Sequence, residues 1–344
     1  MLFDNLPADH LAWIFLTLMG FAALVYAVLD GYDLGVGIIL PTSSSVQSPA
    51  VLEEQRNQMI ASIGPFWDAN ETWLVLAIGI LLIAFPGAYS LVLRELYIPT
   101  VLLLIGLALR GVSFDFRAKA VSQHREIWDY CFKIGSALAA LTQGYMLGRY
   151  VLGFEHSTAA YFFALLSSLC VTAAYAYIGG TWLVMKTKGD LQRKAAYWAR
   201  RAGWLAALGI LAISIANPLI SEDIAARWFT FPAVILLIPI PLVCGGLIFA
   251  IDQYLKHVPH TQDFACSFPF IGVTGIFLLT FFGLAYSYFP YVIPHQMLAT
   301  DAASAAESLR FVLYGTALVL PVIVLYTIFS YRVFWGKTTE LKYY

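Results

Sequence analysis

The chain has 344 residues, of which 60% are hydrophobic and only 12% charged, with a mean hydropathy of +0.75. A soluble domain is about a quarter charged and about half apolar. This composition therefore excludes a soluble globular protein and indicates a polytopic membrane protein, and the net charge of −1 carries no signal for a nucleic-acid partner.

A membrane-spanning helix needs roughly 20 predominantly apolar residues. Nine stretches qualify in chain order: Leu11–Leu29, Thr72–Leu93, Ile98–Leu109, Phe132–Leu147, Tyr161–Met185, Trp204–Ile220, Phe229–Ile251, Phe268–Tyr288 and Phe311–Val333. The third and fourth are short and borrow polar residues at their ends. Asp4 and Asp9 precede the first span where a signal peptide would carry basic residues, and no clear small-residue cleavage site follows, so that span is expected in the mature protein. Thr42-Ser43-Ser44-Ser45 reads as a short polar turn. Segment 51–63 is weakly amphipathic and is expected along the inner surface. No internal repeat, low-complexity tract or long extramembrane segment appears, so residues 1–344 read as a single polytopic membrane domain. Trp13, Trp73, Tyr97, Trp128, Trp182, Trp204, Trp228, Tyr288 and Trp335 stand near span ends and fit an interfacial aromatic belt.

Basic residues orient such a chain, because they concentrate on the cytoplasmic side. With the N-terminus outside, only Arg94, Arg149, Arg227 and Arg310 of the 20 basic residues fall on the outer face. The pattern predicts an external N-terminus, a cytoplasmic C-terminus and an odd number of spans.

Charge is scarce inside the spans. No Asp, Glu, Lys or Arg occurs in residues 74–93, 161–185, 268–300 or 311–331. A coupled transporter usually keeps ionisable groups or broken helices near the bilayer midplane. The first are missing here, whereas Pro239 and Pro241 either break the seventh span or only kink it. His10, His124, His156, His257, His260 and His295 all fall in predicted loops or span ends. A haem carried at mid-membrane commonly needs a histidine on a span, so this chain alone is not expected to hold one. Cys131, Cys170, Cys244 and Cys266 form no C-x-x-C pair and read as small apolar fillers.

The acids that do approach the membrane gather in three places. Asp30 and Asp33 close the first span in Leu29-Asp30-Gly31-Tyr32-Asp33-Leu34-Gly35-Val36-Gly37. On a continuing helix that spacing puts them on one face, and the glycines would let another helix approach closely. Asp68 and Glu71 open the second span in Gly64-Pro65-Phe66-Trp67-Asp68-Ala69-Asn70-Glu71-Thr72-Trp73. Arg110, Asp115 and Arg117 close the third in Arg110-Gly111-Val112-Ser113-Phe114-Asp115-Phe116-Arg117. The orientation above brings all three to the cytoplasmic face. Two readings stand side by side. Asp68 or Asn70 caps the second helix, and Asp30 and Asp33 pair inertly with Arg110. Alternatively the group handles protons, with Trp67 shielding Asp68 from water.

These three segments, in this order and spacing, resemble the signature segments of subunit II of cytochrome bd ubiquinol oxidase, and the resemblance covers the whole chain. Ala69 stands where many members have glycine. The resemblance implies an all-α membrane fold of nine transmembrane helices, two helix bundles plus one additional helix. It implies a heterodimer with the haem-bearing subunit I in the bacterial cytoplasmic membrane, often with a very small third subunit, and an enzyme that oxidises quinol and reduces O₂ to water. Haem b, haem d and the quinol site would belong to subunit I, and in some members a structural quinone sits in subunit II. Asp68 matches the proton-path acid, with Glu71 beside it. Trp67, Asn70, Asp30, Asp33, Arg110, Asp115 and Arg117 match supporting or interface positions, and no residue of this chain is expected to be catalytic. An independent transporter or channel is the alternative from another functional class; a haem-bearing partner that co-purifies in fixed ratio separates the two.

Reporter fusions after residue 155 or 225 should read as external, and fusions after residue 120, 195 or 340 as internal. An external C-terminus would contradict the orientation.

Overall fold

A computed structural model of the chain describes residues 5–42, 48–120, 122–220, 226, 228–231, 233–259, 263 and 265–338. The polar turn read at 42–45 lies outside them apart from Thr42. The described residues are almost entirely helical: α1 (Ala8–Ile38), α2 (Pro49–Ile63), α3 (Trp67–Ala84), α4 (Pro86–Glu95), α5 (Tyr97–Lys119), α6 (Ser122–Val151), α7 (Thr158–Lys186), α8 (Gly189–Ile220), α9 (Ala233–Leu237), α10 (Pro239–Leu255), α11 (Phe268–Tyr288), α12 (Ala299–Ala302) and α13 (Ala306–Val333). One antiparallel pair, β1 (Tyr291–Ile293) and β2 (Met297–Leu298), joins α11 to α12.

Among the described residues, seven helices are long and apolar enough to cross a membrane: α1, α3, α5, α7, residues Gly189–Ala216 of α8, α11 and α13. The other two expected spans take different forms. The fourth lies in α6, a helix of 30 residues that carries Lys133, Gln143 and Arg149 and is too polar to join the seven. The seventh is divided between α9 and the 17-residue apolar helix α10, which begins at Pro239. The second span is shorter than expected. It ends at Ala84, Phe85 leaves the helical region with φ −134° and ψ 61°, and Pro86 starts a separate helix. Proline disfavours helical geometry in the residue before it and has no N–H to continue the ladder.

Helix α1 is the hub. It packs on α3, α6, α7 and α11, and from Asp30 to Gly37 every residue is buried. Glycine makes the α1–α7 crossing possible. A Cβ on Gly35 would stand 1.8 Å from the Tyr175 carbonyl oxygen, and one on Gly179 would stand 2.5 Å from the Gly35 carbonyl carbon. The close approach inferred from the glycine run is therefore a backbone-to-backbone contact with α7.

Several aromatics expected in the interfacial belt are core instead. Trp73, Trp182 and Tyr288 are buried, whereas Tyr97, Trp204 and Trp335 are exposed. Trp182 stacks on Tyr32 with ring centroids 4.2 Å apart and donates its indole N–H to the Ser62 carbonyl at 3.3 Å. That bond ties down α2, which is embedded through Leu52, Met59, Ile60 and Ile63 rather than lying free on a surface.

The end of α13 folds over the same region. Lys186 Nζ donates to the Phe334 carbonyl at 2.7 Å, and the Thr338 amide donates to the Lys186 carbonyl at 2.8 Å. Lys337 pairs with Asp263 at 3.3 Å. Burial opposes ionisation of Asp263, but the Gln192 amide and the Lys337 ammonium outweigh it and hold the carboxyl below its usual range. This attachment is complete above the ordinary carboxylate range and weakens as the pH falls through the lowered value.

Gly35→Leu should cut the yield of folded, monodisperse protein severely, since overpacking costs ~1–3 kcal/mol even where neighbours can yield and here the obstacle is backbone. Gly79→Leu, whose Cβ would meet nothing within 4 Å, should leave the yield unchanged. Size-exclusion chromatography of the detergent-extracted variants measures both; equal yields would contradict the crossing.

Candidate proton-handling site

Arg110 of α5 is fully buried, and the acids that reach it come from two other helices, α1 and α3. Its Nη1 lies 2.6 Å from Asp30 Oδ1 and 3.3 Å from Glu71 Oε1, and its Nη2 lies 3.9 Å from Asp33 Oδ2. Asp30 and Asp33 are fully buried; the Glu71 side chain is 27% exposed. Three carboxylates thus converge on one guanidinium. The first is a strong charge-assisted hydrogen bond, and the others are electrostatic contacts. Like charges held this close repel, and the Arg110 guanidinium between them offsets that repulsion.

Asn70 links this cluster to an aromatic group. Its Nδ2 donates to Asp33 Oδ2 at 2.7 Å, to the Tyr32 hydroxyl at 3.1 Å and to the Leu29 carbonyl at 3.3 Å. The Tyr331 hydroxyl of α13 donates to Asn70 Oδ1 at 3.3 Å and lies 2.5 Å from the Tyr32 hydroxyl. Asn70 is therefore not a helix cap. The residue at the cap position of α3 is Phe66, with no side-chain capping bond.

The structure separates the residues singled out in the sequence. Asp30, Asp33, Asn70, Glu71 and Arg110 meet. Asp68, in the first turn of α3, is exposed and has no hydrogen-bond or ion-pair partner among the described residues. Trp67 does not shield it. The indole packs on Phe114 with centroids 5.0 Å apart and lies 5.9 Å from the Arg110 guanidinium, so it covers the arginine instead. Asp115 is exposed, on the side of α5 away from Arg110. Arg117 is buried in a second cluster, where its Nε donates to Asp129. Arg56 completes that cluster: it reaches Asp129 Oδ2 at 3.2 Å and donates to the Pro41 and Thr42 carbonyls. These bonds fasten the segment after α1 to α2, α5 and α6.

Sequence reasoning assigned no role to Tyr32, Tyr331, Arg56 or Asp129. Asp129 carried a usable signal, an acid between Arg117 and Lys133 just before an apolar run. Tyr331, at the end of an uncharged run, could not be told from a belt tyrosine.

A family profile described as "Cytochrome bd terminal oxidase subunit II" matches residues 11–334. The chain belongs to the cytochrome bd terminal oxidase subunit II family. It is 27% identical over 376 aligned residues to the cytochrome bd-I ubiquinol oxidase subunit 2 of Escherichia coli K12, covering 96% of each chain. It is 26% identical over 344 residues to the cytochrome bd ubiquinol oxidase subunit 2 of Bacillus subtilis 168, covering 94% of this chain and 95% of that one. Its fold is similar to a chain of the bd oxidase from Geobacillus thermodenitrificans, with a TM-score of 0.68 at 15% identity over 95% of this chain and 100% of that one. As a bd oxidase subunit II, the chain is a multi-pass membrane component of a bacterial terminal oxidase, and the oxidoreductase reading prevails over the transporter.

In this subunit II, Arg110→Leu should destabilise by about 3–5 kcal/mol, because it strands buried carboxylates without their cation. Adding Asp30→Asn should recover part of that loss, since the two residues form one interacting unit. Thermal unfolding of the three variants in detergent tests this; strictly additive losses would mean that the pair is not the anchor.

Proposed function

We propose that this chain is the non-haem subunit of a quinol oxidase complex in the bacterial cytoplasmic membrane. In this reading it has nine spans, an external N-terminus and a cytoplasmic C-terminus. Subunit I carries haem b, haem d and the quinol site. The present chain stabilises that partner and supplies a proton path from the cytoplasm. The observation that carries the proton role is the Arg110 cluster: three acids from two helices around one buried guanidinium, with Glu71 partly open to the surface.

The described histidines do not fit a haem site within this chain. His10 and His124 stand in the first turns of α1 and α6, His156, His257 and His295 lie between helices, and His260 is outside the described residues. Among the described residues no group of three or more His, Cys, Asp or Glu side chains is placed to hold a metal ion.

The chain's own residues divide the work by depth. Asp68 is exposed and takes a proton at the surface. Glu71, three residues on, shares its helix face and connects it to the buried Asp30–Asp33–Arg110 group. Reduction of O₂ to water consumes protons. Drawing them from the cytoplasm, while quinol releases its own on the other side, makes the reaction electrogenic without pumping.

Asp68→Asn keeps the shape of the side chain and cannot ionise. It should assemble with a full haem complement yet turn over at least tenfold more slowly, the scale of a lost proton-transfer group, and Asp68→Glu should recover part of the rate. Quinol-dependent O₂ consumption per haem d measures this. Wild-type turnover in Asp68→Asn would remove the residue from the path, and lost haem would assign it to assembly.

A further inference from the structure

Helix α13 is nearly bare along its length: Phe311, Leu318, Leu325 and Phe329 are all exposed. Its last turn behaves differently. The Tyr331 ring stacks on Phe66 with centroids 4.5 Å apart and stands edge-on to Trp182 at 6.2 Å. The chain that follows is pinned to the end of α7, where Lys337 Nζ donates to the Thr187 carbonyl at 2.9 Å. One tyrosine at the end of an otherwise uncharged apolar run is thus built into the core beside the acid cluster.

The hydroxyl delivered by this packing completes a closed ring. Tyr331 donates to Asn70 Oδ1 at 3.3 Å, Asn70 Nδ2 donates to the Tyr32 hydroxyl at 3.1 Å, and the two hydroxyls stand 2.5 Å apart. The Tyr331 hydrogen is engaged by Asn70, so Tyr32 donates across the last contact. A side-chain amide has one accepting end and one donating end. With Oδ1 held by Tyr331, Nδ2 faces Asp33 Oδ2 at 2.7 Å and the Leu29 carbonyl at 3.3 Å. A carbonyl can only accept, so Leu29 fixes the same orientation independently. Among the described residues Asn70 is the hydrogen-bond donor to Asp33: Arg110 Nη2 stands 3.9 Å away, and Asp33 Oδ1 is buried without a partner.

The end of the amide that faces Asp33 matters chemically. A carboxylate only accepts, so it is favoured by the nitrogen and repelled by the oxygen; a protonated carboxyl can donate to the oxygen. We propose that Tyr331 is a positioning residue for proton exchange at Asp33, acting through its ring with Tyr32 and Asn70 to keep the amide nitrogen against that carboxyl. The proposal rests on the proton-path reading above. Tyr331 touches no acid itself; its effect passes through Asn70. Without its hydroxyl, Asn70 Oδ1 and the Tyr32 hydrogen lose their partners, and the amide can turn so that the two satisfy each other and Asp33 loses its donor.

The test uses the assembled oxidase with Tyr331→Phe, beside Asp33→Asn and Asp68→Asn. Phenylalanine keeps the stacking on Phe66, so Tyr331→Phe should retain its haem. Its quinol-dependent O₂ consumption per haem d should fall about fivefold, the rate equivalent of one net hydrogen bond. Infrared difference spectra of the reduced enzyme reacting with O₂ supply a readout that packing alone would not move. The carboxyl or carboxylate band that Asp33→Asn removes should shift in Tyr331→Phe. Slow turnover together with a shifted Asp33 band supports the proposal. Either change without the other, the absence of any Asp33 band, or lost haem in Tyr331→Phe would overturn it. Where Asp68→Asn is slow in the same series, that failure leaves the proton path standing; wild-type turnover in Asp68→Asn would overturn the path itself.

Discussion

The arrangement depends on one buried cation. Arg110 sits at the meeting point of α1, α3 and α5 with no exposed surface, and it is tolerable there only because acids from two neighbouring helices reach it. An isolated guanidinium in that position would cost several kcal/mol, and so would the acids without it. The cluster therefore fixes the register of three helices at once. It also leaves more negative than positive groups in one place, the arrangement a proton-handling site needs. The same interaction accounts for the fold at this end of the bundle and underlies the proton role proposed for it.

A second constraint makes the first possible. The acids reach Arg110 only if α1 is clasped closely by its neighbours, and the glycines after Asp30 permit it. Gly35 and Gly179 bring two backbones into contact, and Gly31 admits the Tyr175 ring. The run Asp30-Gly31-Tyr32-Asp33 thus interleaves groups that face the site with a residue that lets α7 come near. On the far side of Asp33, Asn70 joins the cluster to Tyr32 and Tyr331. The last helix, which packs little along its length, is attached to the site by that contact and by Lys186.

Much of this was legible in the sequence. Composition identified a membrane protein, and the three-residue spacing of Asp30 and Asp33 correctly placed both on one face. Arg110 was the evident counter-charge. Other features were not legible because they depend on tertiary neighbours. Trp67 is adjacent to Asp68 in the chain but turns to Phe114 and Arg110, since adjacent residues on a helix point in different directions. Trp73 and Trp182 look like interfacial residues by position, yet both are core. The break at Phe85 followed from Pro86 and could have been drawn from the sequence; the run Thr72–Leu93 hid it because proline is tolerated in apolar spans. Arg117 was grouped with Arg110 by proximity, but one face of α5 turns to α1 and another to Asp129.

The Arg110 cluster is proposed to carry protons inward from the cytoplasmic side. Proton uptake by the reconstituted oxidase tests it most directly, followed with a pH-sensitive dye on the side bearing the C-terminus after reduced enzyme meets O₂. With Glu71→Gln, electron transfer among the haems should begin normally while proton uptake slows by at least tenfold. Uptake at the wild-type rate in that variant would show that protons reach the oxygen chemistry by a route that does not pass through Glu71 and would contradict the proposed path.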